Sequence, residues 1–252
     1  MVLSKSGFSL LEVNVIAKPT KHPTPLALGD TASLALRQSG VVPVWNPPIT
    51  TAEATPFGFR ATAPHELSAV HAAAESIMGA QLAPLSAVQA VEEYTGGTVH
   101  IHIEPVKKNP ASSLNTNSAN ANPDGDGTPS DALGGEITGV ILLLPLSSAG
   151  EVAMRDGSFN TFIPKLEHVC APGDYFPGMY VWLYAGKGMR ARLNVVRCCL
   201  AWRDGFYQNV RGYGRGATPE GAGAMLHLGF HSVPFGVPNL FVFDRQVKDG
   251  QA

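Results

Sequence analysis

Tyr180-Val181-Trp182-Leu183-Tyr184-Ala185-Gly186-Lys187-Gly188-Met189 is the stretch on which the reading of this chain turns. Tyr180 to Ala185 is apolar and rich in aromatic residues, with the length and composition of a strand. Two glycines interrupt it, and a helix is expected from Met189 to Phe206. There Leu193, Val196, Leu200 and Phe206 recur on an apolar side, and Arg190, Arg197, Arg203 and Asp204 supply the polar one. Glycines after a strand let backbone N–H groups come close to a ligand, and the following helix presents unsatisfied N–H groups and the positive end of its dipole. A pyrophosphate suits such a place. A plain turn between a strand and a helix uses the same letters, so the stretch alone does not decide between the two.

Working outward, Glu136 to Leu146 is a longer, continuously apolar run, as in a central strand covered on both faces. Thr98 to Ile103 alternates, with Val99, Ile101 and Ile103 opposite His100 and His102, which predicts a half-buried strand. Phe57 to Ala61 reads as a short strand. A helix capped at Thr62 or Ala63 follows, with Leu67, Val70, His71, Ala74 and Ile77 at helical spacing up to Gly79. Pro84 opens a second helix with Leu85, Val88, Ala90 and Val91 toward a core, closing before Gly96-Gly97. Ser147 to Gly178 has little period. Beyond the central helix, a strand is expected at Asn209 to Tyr213, a helix from Thr218-Pro219 to Gly229, and a last strand at Asn239 to Asp244.

The fold class expected is therefore α/β (α+β), a central mixed sheet of six or seven strands flanked by helices. An irregular N-terminal arm, 1–56, rich in Pro, Thr and Ala, precedes a domain over 57–252. The polar, low-complexity run at about 107–134 is expected to be a flexible loop.

The 252 residues are 44% apolar and only 15% charged, with a formal net charge of -2, which gives no electrostatic case for nucleic acid or an anionic membrane. Gly7-Phe8-Ser9-Leu10-Leu11-Glu12-Val13 resembles a prepilin cleavage site, but the apolar run after it stops at Ala17, short of a bilayer span. No membrane segment is expected. The 3 cysteines, Cys170, Cys198 and Cys199, are an odd number and read as buried small hydrophobes of a cytoplasmic protein rather than a disulfide framework.

The order of elements from Phe57 onward resembles the GNAT (Gcn5-related N-acetyltransferase) superfamily. The residue-level likeness rests on the strand running into Gly186-Lys187-Gly188, and on Met225-Leu226-His227-Leu228-Gly229-Phe230, similar to the Leu-Gly-Phe that closes the family's last helix. The resemblance implies an acyl-CoA-dependent N-acyltransferase that uses acetyl-CoA or another acyl-CoA and passes the acyl group to a small-molecule or other amine acceptor. It also implies that Leu183, Tyr184, Ala185, Gly186, Lys187, Gly188, Met189 and Arg190 form the pyrophosphate-holding loop.

Leu183 stands where the family pattern has Gln or Arg. Arg211-Gly212-Tyr213-Gly214-Arg215-Gly216 fits the family's letters better, but lies too close to Leu228-Gly229-Phe230 for the intervening helix and strand. Met225 stands where family members often have the tyrosine that protonates the leaving thiolate; Tyr213 and His227 are the substitutes on offer, and Glu136 is the candidate base, with His100 and His102 behind it. Two other readings stay open: a member of the fold that has lost catalysis and serves as a ligand-binding or interaction protein, and a metal-dependent enzyme using His100 and His102 with Glu104, His168 or Cys170. A polar strand face is preferred over the metal reading, so no metal ligand is assigned. The oligomeric state is open, a dimer included.

Overall fold

The computed structural model describes residues 43–47, 56–79, 82–104, 135–205, 207 and 210–244. Most of the 1–56 arm and the loop expected at about 107–134 lie outside them, as do Phe206 and Asn209.

The chain is a mixed α/β fold built on one seven-stranded sheet. In chain order the elements are β1 (Phe59–Ala61), α1 (Leu67–Met78), α2 (Leu85–Thr95), β2 (Val99–Glu104), β3 (Glu136–Leu146), α3 (Ser148–Asp156), β4 (Gly178–Gly186), α4 (Gly188–Asp204), β5 (Arg211–Arg215), α5 (Pro219–His227), β6 (His231–Ser232) and β7 (Leu240–Phe243). The sheet order is β1-β2-β3-β4-β5-β7-β6. Every neighbouring pair is antiparallel except β4 and β5, which run parallel and are joined by the long crossover through α4.

Helices cover both faces. α1 and α2 bury Leu67, Val70, Ala74 and Val88 against Val99, Ile101, Val140 and Leu142. On the same face α3 packs Ala153 and Met154 against Leu144, Leu146, Tyr180 and Tyr213. The other face carries α4, whose Val195, Cys198 and Trp202 meet Ile141, Leu143 and Met179, and α5, whose Met225 meets Phe241. Trp45, within the expected arm, is fully buried beside Phe176 and donates its indole N–H to the Thr95 carbonyl at 2.7 Å. The bridge Val44↔Tyr175 ties the same segment to the sheet's approach. No helix among the described residues is long and apolar enough to cross a membrane.

Several elements differ from the sequence-based expectation, each for a physical reason. β2 is buried on both faces, because α4 covers its histidine side: the His100 ring lies 4.6 Å from that of Trp202. The apolar stripe of α4 is Ala191-Val195-Cys198-Trp202, so Leu193 points outward, about half exposed. Ala90 on α2 is exposed as well. The strand expected at Asn209 to Tyr213 is β5, which runs over Arg211–Arg215. The supposed irregular insert contains α3, whose Ser147 caps its start by accepting from the Gly150 N–H. A side chain at Gly150 would place its Cβ 1.9 Å from the His168 carbonyl oxygen, so only glycine lets α3 pack there. The expected Thr218 cap is present: its hydroxyl accepts from the Gly221 N–H at 3.0 Å.

His100 is a buried polar group whose ring is only half satisfied. Its Nδ1–H donates to the Thr98 carbonyl at 3.2 Å, and Nε2 is buried without a partner. Burial lowers its pKa from 6.5 to about 4. Between these values the unfolded chain holds a proton on His100 that the folded chain does not, so stability rises with pH across that window and is fully regained above 6.5. The contribution amounts to about 3 kcal/mol. Urea titrations from pH 4 to 7 should show this slope, and His100→Leu should flatten it; an unchanged slope in the variant would mean that His100 is not its source.

Candidate functional site

The site is built where the parallel pair comes apart. β4 and β5 are paired only from Gly178↔Arg211 to Val181↔Gly214. β4 then runs on to Gly186 alongside β3, and among the described residues no strand pairs with that edge of Trp182–Gly186. At the point of separation β4 carries a bulge. Its register with β3 jumps from Leu142↔Leu183 to Leu143↔Val181, leaving Trp182 as the extra residue. The bulge turns Trp182 and Leu183 to the same face, toward α1 and α2, while Val181 and Tyr184 pack on the α4 side.

The separation is spanned by a clasp. Trp182 donates its indole N–H to the Thr161 carbonyl, and Arg215 at the end of β5 donates Nη1 to the Thr161 hydroxyl, both at 2.7 Å. Arg215 Nε also donates to the Pro238 carbonyl at 3.0 Å. One residue of the segment between α3 and β4 thus bonds both diverging strands.

The strand ends in the glycine turn read from the sequence, and both glycines are required there. A Cβ on Gly186 would lie 2.7 Å from the Arg192 nitrogen and 2.9 Å from the Ala191 carbonyl carbon, so glycine lets the first turn of α4 fold back onto the strand. Gly188 has φ +75° and nothing within 4 Å of where its Cβ would stand. Lys187 is the N-cap, its side chain caps nothing, and its own N–H donates to the Thr138 carbonyl at 2.7 Å. Among the described residues no side chain caps the start of this 17-residue helix, which begins beside the exposed side chains of Lys187 and Arg190. Arg192 is turned back onto the turn, donating Nε to the Gly186 carbonyl at 3.2 Å.

Of the loop residues named from the sequence, Leu183, Tyr184 and Ala185 lie in the strand. Leu183 and Tyr184 pack their side chains into the core, and Ala185 is buried. Gly186 is buried at the end of β4, and Lys187 to Arg190 form the exposed turn and helix start. Burial pushes the Tyr184 phenol up to about 12, so it stays protonated at neutral pH.

The three catalytic candidates are not brought together. Glu136 is exposed at the start of β3 and ion-paired with Lys187, at the mouth of the turn. His227 is exposed at the last position of α5. Tyr213 is fully buried on β5 and donates its hydroxyl to Glu151 Oε1 at 2.7 Å. Glu151 also receives Arg211 Nη1 at 2.8 Å, and Arg211 pairs with Asp244. Burial and then the Glu151 charge both raise the Tyr213 pKa, so this phenol is a locked structural donor. Met225 is buried against the backbone of Gly214, where a Cβ would stand 2.7 Å from its sulfur.

His100 and His102 share a strand face, but each is engaged elsewhere: His100 against Trp202, and His102 against Phe59 and, through Nδ1, the Thr138 hydroxyl at 2.8 Å. Among the described residues, no group of three or more His, Cys, Asp or Glu is placed to hold a metal ion. Cys170 is buried, and its thiol is pushed up to about 12 by desolvation and then by the charge of Asp174, the reverse of an activated nucleophile.

A cavity of about 50 Å³, missed in the sequence, lies under α1 and α2 and is closed on one side by Trp182 and Leu183. Its lining comes from several separate elements, so no local pattern could announce it. Comparison with protein-family models, with curated proteins and with solved structures finds no match to this chain.

The Tyr213 network should behave as structure. Tyr213→Phe is expected to cost about 1–2 kcal/mol and Glu151→Ala about 3 kcal/mol, since the latter strands Arg211 and the Tyr213 hydroxyl. Chemical denaturation measures both; costs in the reverse order would contradict the arrangement described.

Proposed function

We propose that this chain is an acyl-CoA-dependent N-acyltransferase of the GNAT type, acting on an amine acceptor. One observation carries the reading. The parallel pairing ends, the bulge falls and the glycine turn opens onto a bare helix N-terminus all along the same strand, β4. A pantetheine arm is an extended amide chain, and the edge of β4 beyond Val181 offers it backbone groups with no strand partner among the described residues. The pyrophosphate would take the N–H groups of Gly188, Met189 and Arg190, with Lys187 and Arg190 supplying charge. The open space at Gly188 suits that anion; the Glu136 carboxylate on Lys187 works against it and must give up its partner.

In the reaction the amine nitrogen attacks the thioester carbonyl carbon. The new C–N bond forms as the C–S bond breaks, the sulfur leaves with the electron pair, and the proton lost by nitrogen passes to the thiolate. Backbone N–H groups at the bulge are the donors available to the carbonyl oxygen. The acceptor remains unassigned.

A second reading is favoured by Met225 and Tyr213. The first cannot donate a proton, and the second is fixed to Glu151. On this reading the coenzyme binds and is not turned over. Release of free thiol from acetyl-CoA over a panel of amines separates the two.

Coenzyme A at about one hundred times its Kd should stabilise the fold by about 2.7 kcal/mol, raising Tm by roughly 5–10 °C. Lys187→Glu should remove most of this shift while leaving the unliganded Tm nearly unchanged, because the Lys187–Glu136 pair is exposed. No shift with saturating coenzyme A or acetyl-CoA would sink both readings.

A further inference from the structure

We infer that the cavity under α1 and α2 is the seat of the acyl chain, and that the favoured donor carries an aliphatic acyl group of about six carbons rather than acetyl. This rests on the coenzyme reading above. The cavity lies between the two helices and strands β2 to β4, walled by Leu67, Val70, Val88, Val140, Trp182 and Leu183. Among the described residues no Lys, Arg, Asp or Glu lines it. Its one ionisable side chain is His71, whose Nε2–H is committed to the Ala83 carbonyl at 2.7 Å. An ammonium entering there would lose its water and meet no carboxylate in the lining, with Glu75 beside it at 3.7 Å from His71 Nδ1, so a neutral hydrocarbon is favoured over the acceptor amine.

Size and position narrow the occupant. Whole-ligand sites occupy roughly 300–1,000 Å³, and this cavity of about 50 Å³ is a subsite for one end of a molecule. It has room for on the order of four water-sized groups, which added to the two carbons of an acetyl group gives about six. Trp182 and Leu183 are at once its wall and the bulge where β4 leaves β5. A thioester held at that edge therefore has its chain end beside the cavity. Leu183, which departs from the Gln or Arg of the family pattern, has its side chain in this apolar wall, where an amide or guanidinium would be buried without partners. The Trp182 indole N–H is satisfied by the Thr161 carbonyl, so the side chain brings no unpaired donor into the cavity wall.

Calorimetric titration of the full chain with coenzyme A and with acyl-CoAs of two to ten carbons tests this. Each added methylene should tighten Kd about threefold to fourfold while it enters the cavity. Hexanoyl-CoA should bind at least tenfold tighter than acetyl-CoA, with no further gain beyond about six to eight carbons. Ala74→Leu, which places three more carbons in the cavity lining, should erase the gain and leave coenzyme A binding as it was. Equal Kd values across the series, or a gain that continues unbroken to ten carbons, would overturn the inference and leave the coenzyme reading standing. Absence of binding by every member, coenzyme A included, would overturn both. Because the series on the unaltered protein decides by itself, a failure of Ala74→Leu to fold costs the test nothing.

Discussion

The fold depends on one short contact, the four-residue parallel ladder between β4 and β5. All other neighbours in the sheet are antiparallel, so this pair joins a four-stranded half, β1 to β4, to a three-stranded half, β5 to β7. A parallel pair requires a long crossover, and α4 supplies it by lying across the sheet with Val195, Cys198 and Trp202 inward. The ladder is crowded on both faces. Cβ atoms on Gly178 and Gly214 would stand 2.9 Å from the Tyr213 ring and 2.7 Å from the Met225 sulfur. Glycine on the strands is what admits these large side chains to the seam. The ladder stops where the Trp182 bulge increases the local twist of β4, and Thr161 then bonds to both strands in place of a fifth pair.

The seam also explains the buried polar network. Glu151 on α3, Arg211 and Tyr213 on β5, and Asp244 after β7 are linked by hydrogen bonds that run from the helix to β5 and on to the end of β7. The Tyr213 hydroxyl adds a donor to the Glu151 carboxylate beside the Arg211 guanidinium. Apolar packing at this place would be non-directional. The network instead prescribes which helix meets which strand, consistent with a short ladder that has little register information of its own.

What the sequence discloses here is what is local. β3 was legible to the residue, and the order strand, glycine turn, helix was legible too, since Gly186 is needed for a contact a few residues away and Gly188 for its own positive φ. What depends on distant neighbours was not legible. His100 and His102 count as polar in an alternating pattern, yet α4 buries them, and no periodicity within β2 reports that. α3 went unseen inside a segment of little overall period; it is only nine residues long, and its buried residues are glycine, alanine and one methionine. The true stripe of α4 runs through alanine and cysteine, so the larger Leu193 attracts an assignment it does not have. The catalytic candidates failed to converge for the same reason: residue type nominated Glu136, Tyr213 and His227, and only tertiary placement reveals that Tyr213 is spoken for.

Leu183 and Met225 bear most on the proposed chemistry, and in this fold each has a packing role of its own. Met225 fills the space that Gly214 leaves above β5; a tyrosine there would put a hydroxyl into the cluster of Leu228, Phe230 and Phe241 and would need a partner that this cluster lacks. Leu183 is turned by the bulge toward an apolar cavity and away from the edge of β4 where a coenzyme would lie. Neither substitution disturbs the backbone features of that edge, which are the end of the ladder, the bulge and the uncapped start of α4. Attack on a thioester needs those backbone donors and a reacting amine held in place; a dedicated acid accelerates departure of a thiolate that is already a good leaving group. The proposed transfer thus does not require a tyrosine at position 225, and the chain-length preference proposed for the cavity would be independent of how fast that transfer ran.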